Sequence, residues 1–70
     1  MSFSEKIKIF RIKNGYTQSE FAKLIGAERS SVSRYESGET IPDMYKAVKI
    51  AKLMGMTCEE LVNSENYRQP

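Results

Sequence analysis

Residues 18–36 read QSEFAKLIGAERSSVSRYE, from Gln18 to Glu36, and the spacing within this stretch decides how the rest of the chain is read. Apolar positions fall on both sides of Gly26, with Phe21, Ala22, Leu24 and Ile25 before it and Val32 and Tyr35 after it. Two short helices that cross steeply through a tight turn need a very small residue where their backbones approach, which Ala22 supplies. They also need a residue tolerant of positive φ at the turn, which Gly26 supplies. Phe21, Ile25, Val32 and Tyr35 form the apolar seam that fixes the crossing angle. At about 100° per residue, the helix expected from Arg29 to Ser37 then sends Arg29, Ser30, Ser33 and Arg34 along one outward stripe, opposite Val32 and Tyr35.

Punctuation on either side extends the same pattern. Thr17 with Glu20 is a capping box that opens the helix ending at Gly26. Upstream, Ser2 with Glu5 forms another, Phe3, Ile7, Phe10 and Asn14 share a face, and Asn14-Gly15 supplies a stop, so a first helix is expected over residues 3–14. Downstream, Gly38 closes the third helix and a loop follows through Thr40, Ile41 and Pro42. Asp43 caps a fourth helix in which Met44, Ala47, Val48, Ile50, Ala51 and Met54 are apolar and Lys46, Lys49 and Lys52 are polar. Gly55 ends it. Thr57 with Glu60 opens a last short helix from Cys58 to about Asn63. No alternating β-branched stretch is present, so the fold class is all-α, with five helices in one domain over residues 1–63 and a frayed C-terminal tail over 64–70.

Composition bounds the chemistry. Seventy residues allow one small domain whose burial barely exceeds the cost of ordering the chain, so a second copy would help. His is absent and Cys58 stands alone, which removes a zinc site and a disulfide staple and fits a reducing compartment. Charges recur through the first helix, breaking any apolar run of the length a signal peptide or membrane span needs. A cytoplasmic protein with no cofactor, no metal and no membrane partner is expected. Net charge is only +2, but its distribution is uneven. Through Lys52, ten Lys and Arg face six Asp and Glu; beyond it, Glu59, Glu60 and Glu65 face only Arg68. One end suits phosphate and the other does not.

The outward stripe carries chemistry of its own. Arg donates two bonds to O6 and N7 of guanine, and Ser serves as donor or acceptor, so these side chains suit the major-groove edge of double-stranded DNA. A good bidentate Arg contact discriminates between bases by about 1–3 kcal/mol. Gln18, in the first turn of its helix, sits where an amide and backbone N–H groups hold a phosphate oxygen, and Lys13 and Lys23 add phosphate-neutralising charge. No nucleophile with a base and no metal cluster points to catalysis, so no enzyme is expected.

Taken together, Ile7, Phe10-Arg11, Thr17-Gln18, Phe21-Ala22, Gly26, the run from Val32 to Gly38, Pro42 and the ending from Ile50 to Gly55 resemble the Xre/Cro-type, lambda-repressor-like helix-turn-helix domain of bacterial and phage repressors. The resemblance runs from the first helix through Leu61, with helices 2 and 3 forming the helix-turn-helix. It implies a transcriptional regulator, most often a repressor, that contacts phosphate at Gln18 and near Ser37. Base contacts are implied at Arg29, Ser30, Ser33 and Arg34, and a structural ion pair between Arg11 and Glu36. Glu28 departs from the pattern, standing where the third helix usually has a Ser or Thr cap. Such domains commonly pair at the acidic end, which here holds Met56, Leu61 and Val62, giving a homodimer on an inverted-repeat operator with association with the nucleoid when bound.

Two other readings compete. Ile9 and Ile12 lie about opposite Ile7 and Phe10, where the family more often has charge, and offer a surface for a protein partner. An antitoxin or anti-repressor with secondary DNA binding would use it. A redox protein would rest on Cys58 alone, behind a helix cap that can lower a thiol pKa. Met44 and Met54, at helical spacing in so small a domain, are expected in the core.

Overall fold

The computed structural model describes residues 2–63, with the side chain of Val62 left aside; the tail expected over 64–70 lies outside the described residues. Five helices follow one another, α1 (Phe3–Lys13), α2 (Gln18–Ile25), α3 (Arg29–Ser37), α4 (Met44–Met54) and α5 (Cys58–Val62), and no strand occurs among the described residues. Ser2, Thr17 and Thr57 each accept a bond from the backbone N–H three residues on, while Glu5, Glu20 and Glu60 reach back to the cap residue's N–H. These reciprocal bonds satisfy two of the donors that a helix start otherwise leaves unpaired. Asp43 caps α4 with its side chain alone, accepting from the Lys46 N–H. Glu28, at the start of α3, makes no side-chain cap bond. Asn14, expected as the last residue of α1, instead caps it, and its Nδ2 donates to the Phe10 carbonyl at 2.8 Å.

The core is filled by one face from each helix: Phe3 and Ile7 of α1, Phe21, Ala22 and Ile25 of α2, Val32 and Tyr35 of α3, Ala47, Ile50 and Ala51 of α4, and Leu61 of α5. Burying one such large side chain contributes about 1.5–3 kcal/mol, which a domain this small needs from nearly every apolar position it has. Phe10 stands edge-on to Phe21 at 6.3 Å between ring centroids, joining α1 to α2. The first helix therefore braces the α2–α3 pair from behind.

Two expectations about apolar residues are corrected by this packing. Leu61, placed at a dimer surface from the sequence, is fully enclosed by the domain's own core and is not presented to a second copy. Leu61 of five-residue α5 closes the α4 side of the core instead. Met44 is 82% exposed at the first turn of α4, ahead of the point where the helix meets the core, although Met54 is partly buried against it. Leu24 of α2, outside the apolar seam, faces outward.

Candidate nucleic-acid interface

The turn between α2 and α3 depends on backbone geometry first. Gly26 adopts φ 68°, ψ 34°, a left-handed conformation that lets the Ala27 N–H reach back to the Ala22 carbonyl at 2.8 Å. A side chain at Gly26 would be strained by that φ, and its Cβ would also lie 3.1 Å from Nζ of Lys49 on α4. The chain then has only Ala27 and Glu28 before α3 begins. Val32 and Tyr35 anchor α3 from below, both buried. Burial also pushes the Tyr35 hydroxyl's pKa up, so the phenol stays neutral beneath the helix.

With Val32 and Tyr35 facing inward, Arg29, Ser30, Ser33 and Arg34 are all exposed, as the 3.6-residue period requires. Lys13 at the end of α1 and Lys23 on α2 are exposed as well. The Ser37 hydroxyl is exposed but donates to the Arg34 carbonyl at 3.0 Å, so its proton is already engaged within α3.

Arg11 and Glu36 meet as a two-pronged pair between α1 and the end of α3. Arg11 Nε donates to Glu36 Oε2 at 2.6 Å and Nη2 donates to Oε1 at 3.1 Å, with side chains only 14% and 6% exposed. The third nitrogen, Nη1, donates to the Tyr16 carbonyl at 3.0 Å. Every guanidinium nitrogen is thus paired, and the bonds to Glu36 hold the Arg11 pKa above its ordinary value. The parallel two-bond geometry also fixes the carboxylate in plane and in position.

Two bonds from Gln18 extend this pair toward the exposed stripe, and sequence reasoning did not find them. Its Nε2 donates to Glu36 Oε1 at 3.2 Å, and its Oε1 accepts from Arg29 Nη1 at 3.2 Å. Positions 11, 18, 29 and 36 come from three helices, and no one-dimensional spacing signals their meeting. The nearest signal is that Gln18 and Arg29 are the first residues of the two helices joined by one tight turn.

Of the remaining expectations, Ile9 and Ile12 are 49% and 58% exposed on α1. Met56 is half-buried against the core, and the Val62 side chain lies outside the described residues. Cys58 is exposed. Among the described residues, no cluster of three potential metal ligands occurs and no helix is long and apolar enough to cross a membrane.

Residues 7–61 match the family model described as Helix-turn-helix. The chain is 32% identical over 65 residues to the HTH-type transcriptional activator BcrR of Enterococcus faecalis, covering 93% of this chain and 32% of that protein. Over 60 residues it is 30% identical to YonR, an uncharacterized HTH-type transcriptional regulator from a prophage of Bacillus subtilis, covering 86% of this chain and 56% of that one. It thus spans about a third of the first relative and just over half of the second. Among solved structures, the P22 c2 repressor in complex with a synthetic operator shares the fold, with a TM-score of 0.81 at 22% identity over 90% of this chain and 96% of that one.

Proposed function

The chain belongs to the Helix-turn-helix family, of the Xre and lambda-repressor-like type, and from that premise we propose that it is a sequence-specific DNA-binding transcriptional regulator. The observation that carries this reading is the exposed stripe of Arg29, Ser30, Ser33 and Arg34 on a helix whose opposite face, Val32 and Tyr35, is locked into the core. A short polar stripe on a rigidly held helix fits the major groove, and Arg and Ser are residue types that read base edges there. Gln18, Lys13 and Lys23 flank the stripe as phosphate contacts, and Ser37 joins them by exchanging its internal bond for one to phosphate.

The protein acts as a homodimer on an inverted repeat, two copies of α3 entering successive major grooves about 34 Å apart. The described residues of one copy extend 27 Å along their longest axis, which suits one half-site per domain. Pairing runs through the acidic end of the sequence, where half-buried Met56 packs against the edge of the core and Leu61 belongs to the core itself. The site of action is the cytoplasm, on the nucleoid when DNA is bound. Whether binding represses or activates follows from where the operator sits relative to a promoter.

Selection of bound duplexes from a random pool tests the reading. Two half-sites in inverted order, one helical turn apart, are the expected product. Arg29→Ala should then relax preference at one position of each half-site, whereas Lys23→Ala should weaken all duplexes alike. No enriched sequence, or retention of a heterologous protein with negligible duplex binding, overturns it.

A further inference from the structure

Gln18 joins Arg29 to the Arg11–Glu36 pair through one amide, and the chemistry at its two ends permits only one orientation. A carboxylate only accepts hydrogen bonds and a guanidinium only donates them. With Glu36 on one side and Arg29 on the other, the Gln18 NH2 must face Glu36 and its carbonyl must face Arg29, the arrangement found at 3.2 Å on each side. Reversal would set oxygen against carboxylate and NH2 against guanidinium, which is repulsive at both ends. Arg11 in turn clamps the carboxylate with two parallel bonds, so the sense of the amide is fixed from the interior outward.

We propose that Glu36 is a specificity-positioning residue, in addition to its place in the ion pair. Its carboxylate sets the sense of the Gln18 amide, and the amide holds the Arg29 guanidinium in one approach to the groove. The proposal rests on Arg29 reading a base. An exposed Arg has four freely turning side-chain bonds, and fixing them at a base costs rotamer entropy unless the side chain is already restrained. Restraint by an acceptor leaves the other guanidinium nitrogens available for a guanine edge. The relay occupies one of the two Gln18 N–H groups, so a phosphate contact by the other can form at the same time.

The test is duplex selection from a random pool by the wild-type chain, Arg29→Ala, Gln18→Met and Glu36→Gln, with each of the last two also made in the Arg29→Ala background. Arg29→Ala identifies the base pair that Arg29 reads. Gln18→Met keeps the side chain's length and the Arg11–Glu36 pair but removes both relay bonds; Glu36→Gln keeps an acceptor for Arg11 but lets the amide face either way. Each is expected to lower preference at the Arg29 base pair by roughly tenfold, leave preferences at the other pairs unchanged, and add nothing once Arg29 is Ala. Should Glu36→Gln fold poorly by circular dichroism, Glu36→Asp, which keeps the charge beside Arg11 but draws the carboxylate back from the Gln18 amide, takes its place, and full preference retained in the folded Glu36 variant overturns the positioning role. Full preference retained in Gln18→Met, or an equal loss at every base pair, overturns the relay while leaving the recognition helix in place. A wild-type chain that selects no sequence overturns the base-reading itself, and the relay with it.

Discussion

Arg11 shows how much one side chain can carry in a domain of this size. Stability on the order of 0.05–0.15 kcal/mol per residue leaves a chain of 70 residues with only a few kcal/mol to spare. Removing one partner of a largely buried ion pair leaves the other charged and dehydrated, at a cost of about 3–5 kcal/mol. Arg11→Ala should therefore bring the domain close to unfolding at room temperature, as measured by urea titration. Arg11→Met with Glu36→Met should be less destabilised than either single change, because no charge is then stranded; a double variant as unstable as the sum of the singles would show that the pair is not coupled. Gly26→Ala acts through the backbone instead, adding a Cβ at φ 68° and 3.1 Å from the Lys49 ammonium. A loss of about 1 kcal/mol, or some 4–8 °C in melting temperature, is expected. At this scale the sequence was informative wherever chemistry is local: Gly26 and Ala22 announced the turn by size alone. The Gln18 bridge was not legible, because it depends on the distance between two helix starts that only folding sets.

Helix starts give the next level of control, and three of the five are reciprocal capping boxes. Bonds from the Ser2 backbone and hydroxyl lower the pKa of the Glu5 carboxyl, and bonds from Thr57 do the same for Glu60. A carboxylate whose folded pKa is depressed contributes stability above its unfolded pKa and loses it as pH falls through the folded value. Melting temperature should therefore decline as the medium is acidified below the ordinary carboxylate range. The Glu5→Gln, Glu60→Gln double variant keeps acceptors at both caps without their titration, so its melting temperature should fall less steeply; parallel curves for the two proteins would remove the caps from the explanation. Thr57→Ala removes the Glu60 N–H's acceptor outright and should cost about 1 kcal/mol at neutral pH. Caps are readable from sequence because partner residues sit three apart. Orientation is harder to read: in α2 and α4, helices of eight and eleven residues, the apolar arc is wide enough that Leu24 and Met44 could face either way, and neighbouring helices turned both outward. Leu61 went the opposite way, drawn into a core that α4 alone leaves open.

Shape and pairing belong to the whole molecule. The longest dimension of the described residues, 27 Å, is shorter than the roughly 34 Å between equivalent major-groove faces, so the proposed pair of half-sites would take two copies. With Leu61 enclosed, half-buried Met56 is the described residue on which the proposed pairing at that end rests. Met56→Lys tests this with little harm to the fold, since a lysine stem can lie along the same apolar surface while its charge reaches water. Across a two-fold axis the same substitution sets two like charges face to face. Sedimentation should show dimer giving way to monomer, and affinity for the inverted repeat should drop by at least tenfold toward that for an isolated half-site, because the second contact is no longer tethered to the first. Spacing should matter too: inserting half a helical turn between half-sites should weaken the wild type and leave Met56→Lys nearly indifferent. If Met56→Lys instead remains dimeric and equally sensitive to spacing, the two-fold contact lies elsewhere on the domain, and the exposed Ile9 and Ile12 of α1 become the next surface to alter.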